Sequence, residues 1–400
     1  LVKMFQPADL QVMYEVRQAM DPAQLANRGK MLFYPGSVLN GVSPAQGPRA
    51  SRPRLASGTI DVESIQHLQD LIAEADGPVT LRGARTKPAR SASRDGFTTL
   101  DFSRLSGIIE YEPSEFTITA LAGTRIAEVQ RLLAEHGQFL PFDPVLAEAG
   151  ATLGGTVAAA GRGPASLRYG GVRDFLIGVR FVDGQGRLIR GGGKVVKNAA
   201  GFDLPKLIVG SAGTLGVLAE LTFKVFPRPE NYLSLSVETS GLTDSLDLIR
   251  ELSATAVEFE ALDLLPPKTV LLRLGGRSST LRQRAEKLVS ILKRACSEVQ
   301  EAAWEDAREF RWVPRGASLW RVPTTVTRIP KLEERLVAED CPRRYSLAGN
   351  VCWLTSRKEE ADVDGMPYFG TSRRVPCSQG ASDFARRVKS VLDPKGRFGA

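Results

Sequence analysis

Two hydrophobic periods alternate along the chain. Ile65, Leu68, Ile72 and Ala75 recur at helical spacing, behind Asp61 as a capping residue and ahead of Gly77 as a stop. Ile126, Val129, Leu132 and Leu133 form a second such face between Thr124, read as its cap, and Gly137. Elsewhere the period shortens towards two, and Pro78–Leu81, Thr98–Phe102, Ile108–Tyr111 and Phe116–Ala122 read as strands. Phe175–Val182 and Leu188–Arg190 flank Asp183-Gly-Gln-Gly186, a hairpin signal. Leu215–Phe226 is a further apolar strand, closed by Pro227 and Pro229. The composition then shifts. Leu233–Val237 and Val270–Leu274 predict strands beside a long amphipathic helix, Leu281–Cys296. Pro342–Gln379 reads as loop-rich, and Ser382–Leu392 as a terminal helix ending in Asp393-Pro394. Pro7–Met20 predicts a helix, followed by a flexible linker, Gly36–Arg54, rich in Pro, Ser, Gly and Arg.

Composition narrows the class. Hydrophobic residues at 42% and charged residues at 24% are those of a folded chain of two or three domains, not a disordered one. No apolar run reaches membrane-spanning length, and no secretory leader is visible. Four widely spaced cysteines, Cys296, Cys341, Cys352 and Cys377, form no CxxC, so neither a zinc nor an iron–sulfur site is expected. A reducing cytoplasm is the expected compartment. The net charge of +8 comes from scattered cations without a nucleic-acid motif, and nucleic-acid binding is not expected.

The chemistry concentrates in Ala151–Asp174, ATLGGTVAAAGRGPASLRYGGVRD. So many glycines and alanines pack a core poorly but let a backbone lie against a large flat ligand. Upstream, Arg82-Gly-Ala-Arg-Thr-Lys87 follows a predicted strand, with cations and main-chain N–H groups suited to a pyrophosphate. It matches neither the Walker pattern nor a Rossmann GxGxxG. A dinucleotide held here would therefore sit in another fold.

The conjunction of that turn with Pro141-Phe-Asp-Pro144, Thr152-Leu-Gly-Gly155, Gly161, Tyr169-Gly170 and Asp174 resembles the FAD-binding domain of the vanillyl-alcohol oxidase / p-cresol methylhydroxylase superfamily. The resemblance covers about residues 56–228. Lys197-Asn-Ala-Ala-Gly-Phe-Asp203 and Gly210-Ser-Ala-Gly-Thr-Leu-Gly-Val217 are similar to signatures of its 2-hydroxyacid branch. The ending Lys389-x-x-Leu-Asp-Pro-x-Gly-x-Phe398 is most similar to the E-type FAD-binding subunits of glycolate oxidases.

What the resemblance implies is an α+β chain. Residues 1–54 would be an extension, similar to the C-terminal end of the D-type sister subunit. Residues 55–229 would form a two-subdomain FAD-binding domain of p-cresol methylhydroxylase type, and 230–400 a smaller α+β cap. The implied FAD ligands are Arg82, Gly83, Ala84, Arg85, Thr86, Lys87, Pro141, Asp143, Pro144, Thr152, Gly154, Gly155, Ala158, Gly161, Tyr169, Gly170, Asp174 and Val217. The implied activity is oxidation of a 2-hydroxy acid, with electrons leaving the flavin for an iron–sulfur partner. The implied partners are a D-type catalytic subunit and an iron–sulfur subunit, at the inner face of the plasma membrane as a peripheral complex.

Family flavins are often tethered through a His or Cys, whereas this chain has only His67 and His136, both on helices, so FAD is expected to be non-covalent. Phe202 and Ala212 stand where the branch usually carries Tyr and often Glu. Residues 231–400 hold no His, so no catalytic residue is assigned. Arg273, Arg311 and Arg321 remain as candidates for a substrate carboxylate. An accessory FAD-carrying subunit, a self-sufficient oxidase and a flavin-free scaffold all stay open.

Overall fold

The strand-length segments of the first half pair into two sheets, described by a computed structural model over residues 7–20, 58–87, 96–193, 203–338, 341–356, 366–369 and 379–398. β1 (Thr59–Asp61), β2 (Val79–Arg82) and β3 (Thr98–Asp101) form a parallel sheet in the order β1-β3-β2. The helix Ile65–Glu74 crosses between β1 and β2 and buries Leu68, Leu71, Ile72 and Ala75. Its cap is Ser64, whose Oγ accepts the His67 N–H at 3.0 Å, and not Asp61 as the sequence suggested. Asp61 is held in β1, paired with Asp101 of β3.

The second sheet is antiparallel. It comprises β4 (Ile108–Glu112), β5 (Thr117–Leu121), β7 (Leu176–Val182), β8 (Leu188–Gly192) and β9 (Val217–Lys224), in the order β4-β5-β9-β7-β8. A small pair, β6 (Gln138–Phe139) with β10 (Phe226–Pro227), closes its end. The helix Ile126–Glu135 buries Ile126, Val129 and Leu133 against it. Thr124 does not cap this helix. Its Oγ1 donates to the Gly107 carbonyl at 3.1 Å and accepts the Gly107 N–H at 2.9 Å, fastening the approach to β4.

The N-terminal helix, Pro7–Met20, is not a detached extension. Val12, Met13 and Val16 are fully buried in the core of the five-stranded sheet. Asp9 Oδ1 accepts the Arg190 N–H at 2.6 Å, so the helix also covers the edge strand β8. The predicted linker, 36–54, lies outside the described residues.

The second half builds one eight-stranded antiparallel sheet. Its strands are β11 (Asn231–Glu238), β12 (Ala261–Leu265), β13 (Thr269–Gly276), β14 (Cys296–Val299), β15 (Ser318–Pro323), β16 (Arg343–Ser346), β17 (Val351–Ser356) and β18 (Met366–Phe369). They lie in the order β14-β11-β13-β12-β16-β17-β15-β18. Helices Leu242–Ala254, Ser278–Leu292 and Ile329–Ala338 cover one face. Leu319, Val351 and Trp353 on the other face join the core of the first unit. Two expectations are corrected here. The predicted helix through Cys296 stops at Leu292, where Lys293 turns left-handed (φ 51°), and Cys296 opens β14. The predicted loop from Pro342 contains two interior strands, β16 and β17. In β16 the apolar pattern is masked by Arg343 and Arg344, which ion-pair with Glu333 and Asp263.

The chain finally returns to its first half. Val388 and Leu392 of the helix Gln379–Leu392 enter the five-stranded sheet's core, and Phe398 bridges to Val79 of β2. Division at 229/230 had placed this segment with the cap.

Candidate cofactor-binding site

A cleft opens between the two sheets of the first unit. Its first wall is the turn after β2, residues 83–87. Arg85 adopts φ 57° and is exposed, while Lys87 is buried with Nζ 3.3 Å from Thr86 Oγ1. The N–H groups of Gly83, Ala84 and Arg85 donate to no acceptor among the described residues. Arg82 also lines the cleft, but its guanidinium is engaged elsewhere. Its Nε donates to Asp101 Oδ2 at 2.9 Å and its Nη2 to Thr59 Oγ1 at 3.1 Å, so its charge is spent within the parallel sheet. Burial pushes the Asp101 carboxyl up, but hydrogen bonds from Ser103 and the Arg82 guanidinium hold it below the ordinary range.

The second wall is the glycine-rich ribbon, which is not an open loop. It folds into the short helices Leu153–Ala158, Ser166–Tyr169 and Val172–Phe175. Thr152 Oγ1 accepts the Gly155 N–H at 3.2 Å and starts the first of them. A Cβ on Gly154 would stand 2.9 Å from both the carbonyl oxygen and the Cβ of Ala122, and one on Gly83 would stand 2.9 Å from Thr152 Oγ1. The two glycines thus let helix, strand end and turn meet closely enough to frame a narrow slot. Ala158 and Ala159 face that slot with minimal side chains.

The third wall, residues 212–218, had been represented only by Val217. The Ala212 N–H donates to the Ala158 carbonyl at 2.8 Å, and Gly213 takes φ 79° against Leu81. Ala212, Gly213, Gly216 and Leu218 were within reach of sequence reasoning, since three of them lie in the quoted Gly210–Val217 signature. Leu81, Phe102 and Ala122 carried no signal. They line the cleft because strands β2, β3 and β5 all lead to it.

Eleven expected residues therefore converge: Arg82 through Lys87, Thr152, Gly154, Gly155, Ala158 and Val217. Pro141, Asp143, Pro144, Gly161, Tyr169, Gly170 and Asp174 do not line this cleft. Three of them make structural bonds in or beside the ribbon. Asp143 accepts the Gly163 N–H on its carbonyl at 2.6 Å and the Ala165 N–H on Oδ2 at 2.8 Å. Asp174 Oδ2 accepts the Gly171 N–H at 2.8 Å as a helix cap. Tyr169 donates its hydroxyl to Glu260 Oε1 of the second unit at 3.0 Å. Burial pushes the Glu260 carboxyl up, against its hydrogen bond from Tyr169 and the Arg273 and Arg168 charges. Burial and Glu260 push the Tyr169 phenol up as well, so it stays a neutral donor.

The three arginines considered for a substrate carboxylate are all engaged. Arg273 pairs with Glu301 at 2.6 Å and stacks 3.6 Å from the Tyr232 ring centroid. Arg311 pairs with Glu148 and Asp306, and Arg321 donates to the Ala160 carbonyl at 3.0 Å. Neither His67 nor His136 lines the cleft. Lys197–Phe202 lies outside the described residues, while Asp203 caps the helix Leu204–Ile208. Among the described residues no cluster of His, Cys, Asp or Glu could hold a metal ion, and no helix is long and apolar enough to cross a membrane.

A cleft lined by small residues and by a turn whose N–H groups have no acceptor among the described residues suits a flat ligand carrying phosphates, and comparison with known proteins agrees. Residues 56–192 match the FAD binding domain family. Glycolate oxidase subunit GlcE of Escherichia coli (strain K12) is 32% identical over 337 residues, covering 80% of this chain and 91% of GlcE. Glycolate oxidase subunit GlcD of Bacillus subtilis (strain 168) is 29% identical, and D-lactate dehydrogenase of Anaerostipes hadrus 28%. The chain spans about half the length of these last two, 47% and 46%. Among solved structures, alkyldihydroxyacetonephosphate synthase shares the fold with a TM-score of 0.65 at 15% identity, covering 85% of this chain and 75% of its own. The chain belongs to the FAD-binding oxidoreductase family of glycolate oxidase subunit GlcE.

Proposed function

We propose that this chain is the FAD-carrying E-type subunit of a glycolate oxidase complex that converts a 2-hydroxy acid to a 2-oxo acid. The observation that carries the reading is the match to GlcE over 91% of that protein, on a chain whose cleft suits FAD. The N–H groups of Gly83, Ala84 and Arg85, with Thr86 and Lys87, would hold the pyrophosphate. Ala158, Ala159 and Ala212 would leave room for the ring system, with Phe102, Val217 and Leu218 excluding water from it. Bound there, FAD supplies a two-electron acceptor for hydride leaving a hydroxyl-bearing carbon.

Its role would be accessory, beside a D-type catalytic subunit, and two observations support that reading. Arg273, Arg311 and Arg321 are already committed, and residues 231–400 contain no His to take the hydroxyl proton. An iron–sulfur subunit would accept the electrons, and the assembly would lie peripherally on the inner face of the plasma membrane. The test is purification of the chain alone. It should be yellow, with FAD released on denaturation, and should oxidise glycolate with an artificial acceptor only after the partner subunits are added. A colourless folded protein that takes up no FAD removes the reading, and full turnover by the isolated chain removes the accessory role.

A further inference from the structure

The terminal sequence Lys389–Phe398 touches both sides of the cleft although none of it lines the cleft. Lys389 Nζ donates to the Thr214 carbonyl at 3.0 Å, and Thr214 lies between the cleft-lining residues Gly213 and Gly216. The same ammonium donates to the Phe398 carbonyl at 2.6 Å and to Asp393 Oδ2 at 3.2 Å, so its three hydrogens meet three oxygens. Asp393, only 4% exposed, accepts the Arg397 N–H at 2.7 Å and the Phe398 N–H at 2.9 Å. That turn delivers the tail to the other side. The Val79 N–H donates to the Arg397 carbonyl at 2.7 Å, and Phe398 adds alongside β2, the strand that leads into the 83–87 turn. Phe398 is buried in the same apolar cluster as Val79, Phe102 and Val217, the last two being cleft residues. The Gly184 N–H donates to the Leu392 carbonyl at 2.7 Å and ties the helix end to the β7–β8 turn.

We propose that Lys389–Phe398 is a clasp that sets the spacing of the two cleft walls for FAD, with Lys389 as its positioning residue. One side is the 83–87 turn, reached through Val79. The other is the 212–218 wall, reached through Thr214. The 212–218 wall is pinned at one end by the Ala212 bond to Ala158 and at the other by the pairing of Val217 and Leu218 with β7, and Lys389 holds the stretch between them. Without the clasp, the 213–216 stretch loses its tie to the tail, while Val217 and Leu218 stay paired with β7, and the cleft widens at that stretch. The proposal rests on the reading that FAD occupies this cleft.

The experiment uses the full-length chain, freed of FAD and checked for fold by circular dichroism, with FAD titrated back by flavin fluorescence. Lys389→Met keeps the length of the side chain and removes every donor. It is expected to weaken FAD binding by about tenfold or more, with faster amide exchange at 212–218 in the FAD-free protein. Lys389→Arg keeps the charge, but a planar fork cannot meet the same three oxygens, so its loss is expected to be intermediate. An FAD affinity within about twofold of the wild type, in folded Lys389→Met or, should that variant not fold, in Lys389→Arg, overturns the clasp. Gly154→Val in the same titration separates the two ideas. If it abolishes uptake while the Lys389 variants bind normally, only the clasp fails. If the wild type binds FAD and Gly154→Val binds it equally well, the cleft assignment itself fails.

Discussion

Substituting Met13 by alanine tests the place of the N-terminal helix. Met13 is fully buried, one turn from Val16 and three residues before it, in the core shared with the five-stranded sheet. Truncation removes a whole thioether side chain from a packed site, at a cost of roughly 2–5 kcal/mol. Were the helix a loosely attached extension, the change would stay within about 0.5 kcal/mol. The gap between those figures makes the experiment decisive against a domain stability of roughly 5–15 kcal/mol. Urea unfolding should be followed by far-ultraviolet circular dichroism, which reads the secondary structure of both halves. Gln18→Ala, on the same helix but only half-buried, is the control and should change little. Deleting residues 1–54 removes Val12, Met13 and Val16 together, at roughly 1.5–3 kcal/mol each. The truncated chain should unfold at clearly lower urea. A Met13→Ala protein indistinguishable from Gln18→Ala would refute the packing argument.

Three further outcomes are expected. Gly154→Ala forces a Cβ to 2.9 Å from the Ala122 carbonyl oxygen, and should cost about 1–3 kcal/mol and weaken FAD uptake, read by the same unfolding assay and by flavin titration. Asp263→Ala strands the buried Arg344 guanidinium, 2.6 Å away in the wild type, and should cost about 3–5 kcal/mol; a loss under about 1 kcal/mol would contradict it. Burial raises the folded-state carboxyl of Glu260 above its ordinary 4.5, so the folded state binds the proton more tightly than the unfolded state does. That contribution is fully present below 4.5 and is lost as pH rises through the folded-state value. The wild type should therefore gain stability relative to Glu260→Gln as the pH falls from neutral towards 4.5, and a pH-independent difference would exclude it.

Periodicity exposed the elements that face a single core. Leu68 and Ile72, or Ile118 and Ala120, alternate cleanly because one side meets solvent or a polar layer. It failed where burial is mixed. β16 reads Arg343-Arg344-Tyr345-Ser346, yet this is an interior strand, because Glu333 lies against one arginine and Asp263 against the other. Ion pairs between distant segments leave no local trace, so the strand looked like loop. Caps were misread for a related reason. Asp61 and Thr124 have the right chemistry, but tertiary partners, β3 and Gly107, claimed them first.

The cleft shows a sharper version of the same limit. A motif records every residue whose replacement harms the site, whether it touches the ligand or supports what does. Asp143, Tyr169 and Asp174 lie outside the cleft lining and make supporting bonds: one holds Gly163 and Ala165, one reaches Glu260, one caps a four-residue helix. Phe102 and Ala122 are the converse, cleft residues of ordinary type whose position follows only from where β3 and β5 end. The terminal Lys389–Phe398 pattern extends the argument. It stands far from the glycine-rich ribbon in sequence, and its contacts with Thr214 and Val79 give a physical reason for the lysine, the aspartate and the phenylalanine to occur together. If the clasp sets the width of the slot, then affinity for FAD is distributed between the walls and the tail that holds them. Substitutions in that tail should then alter cofactor retention without changing a single atom that FAD touches.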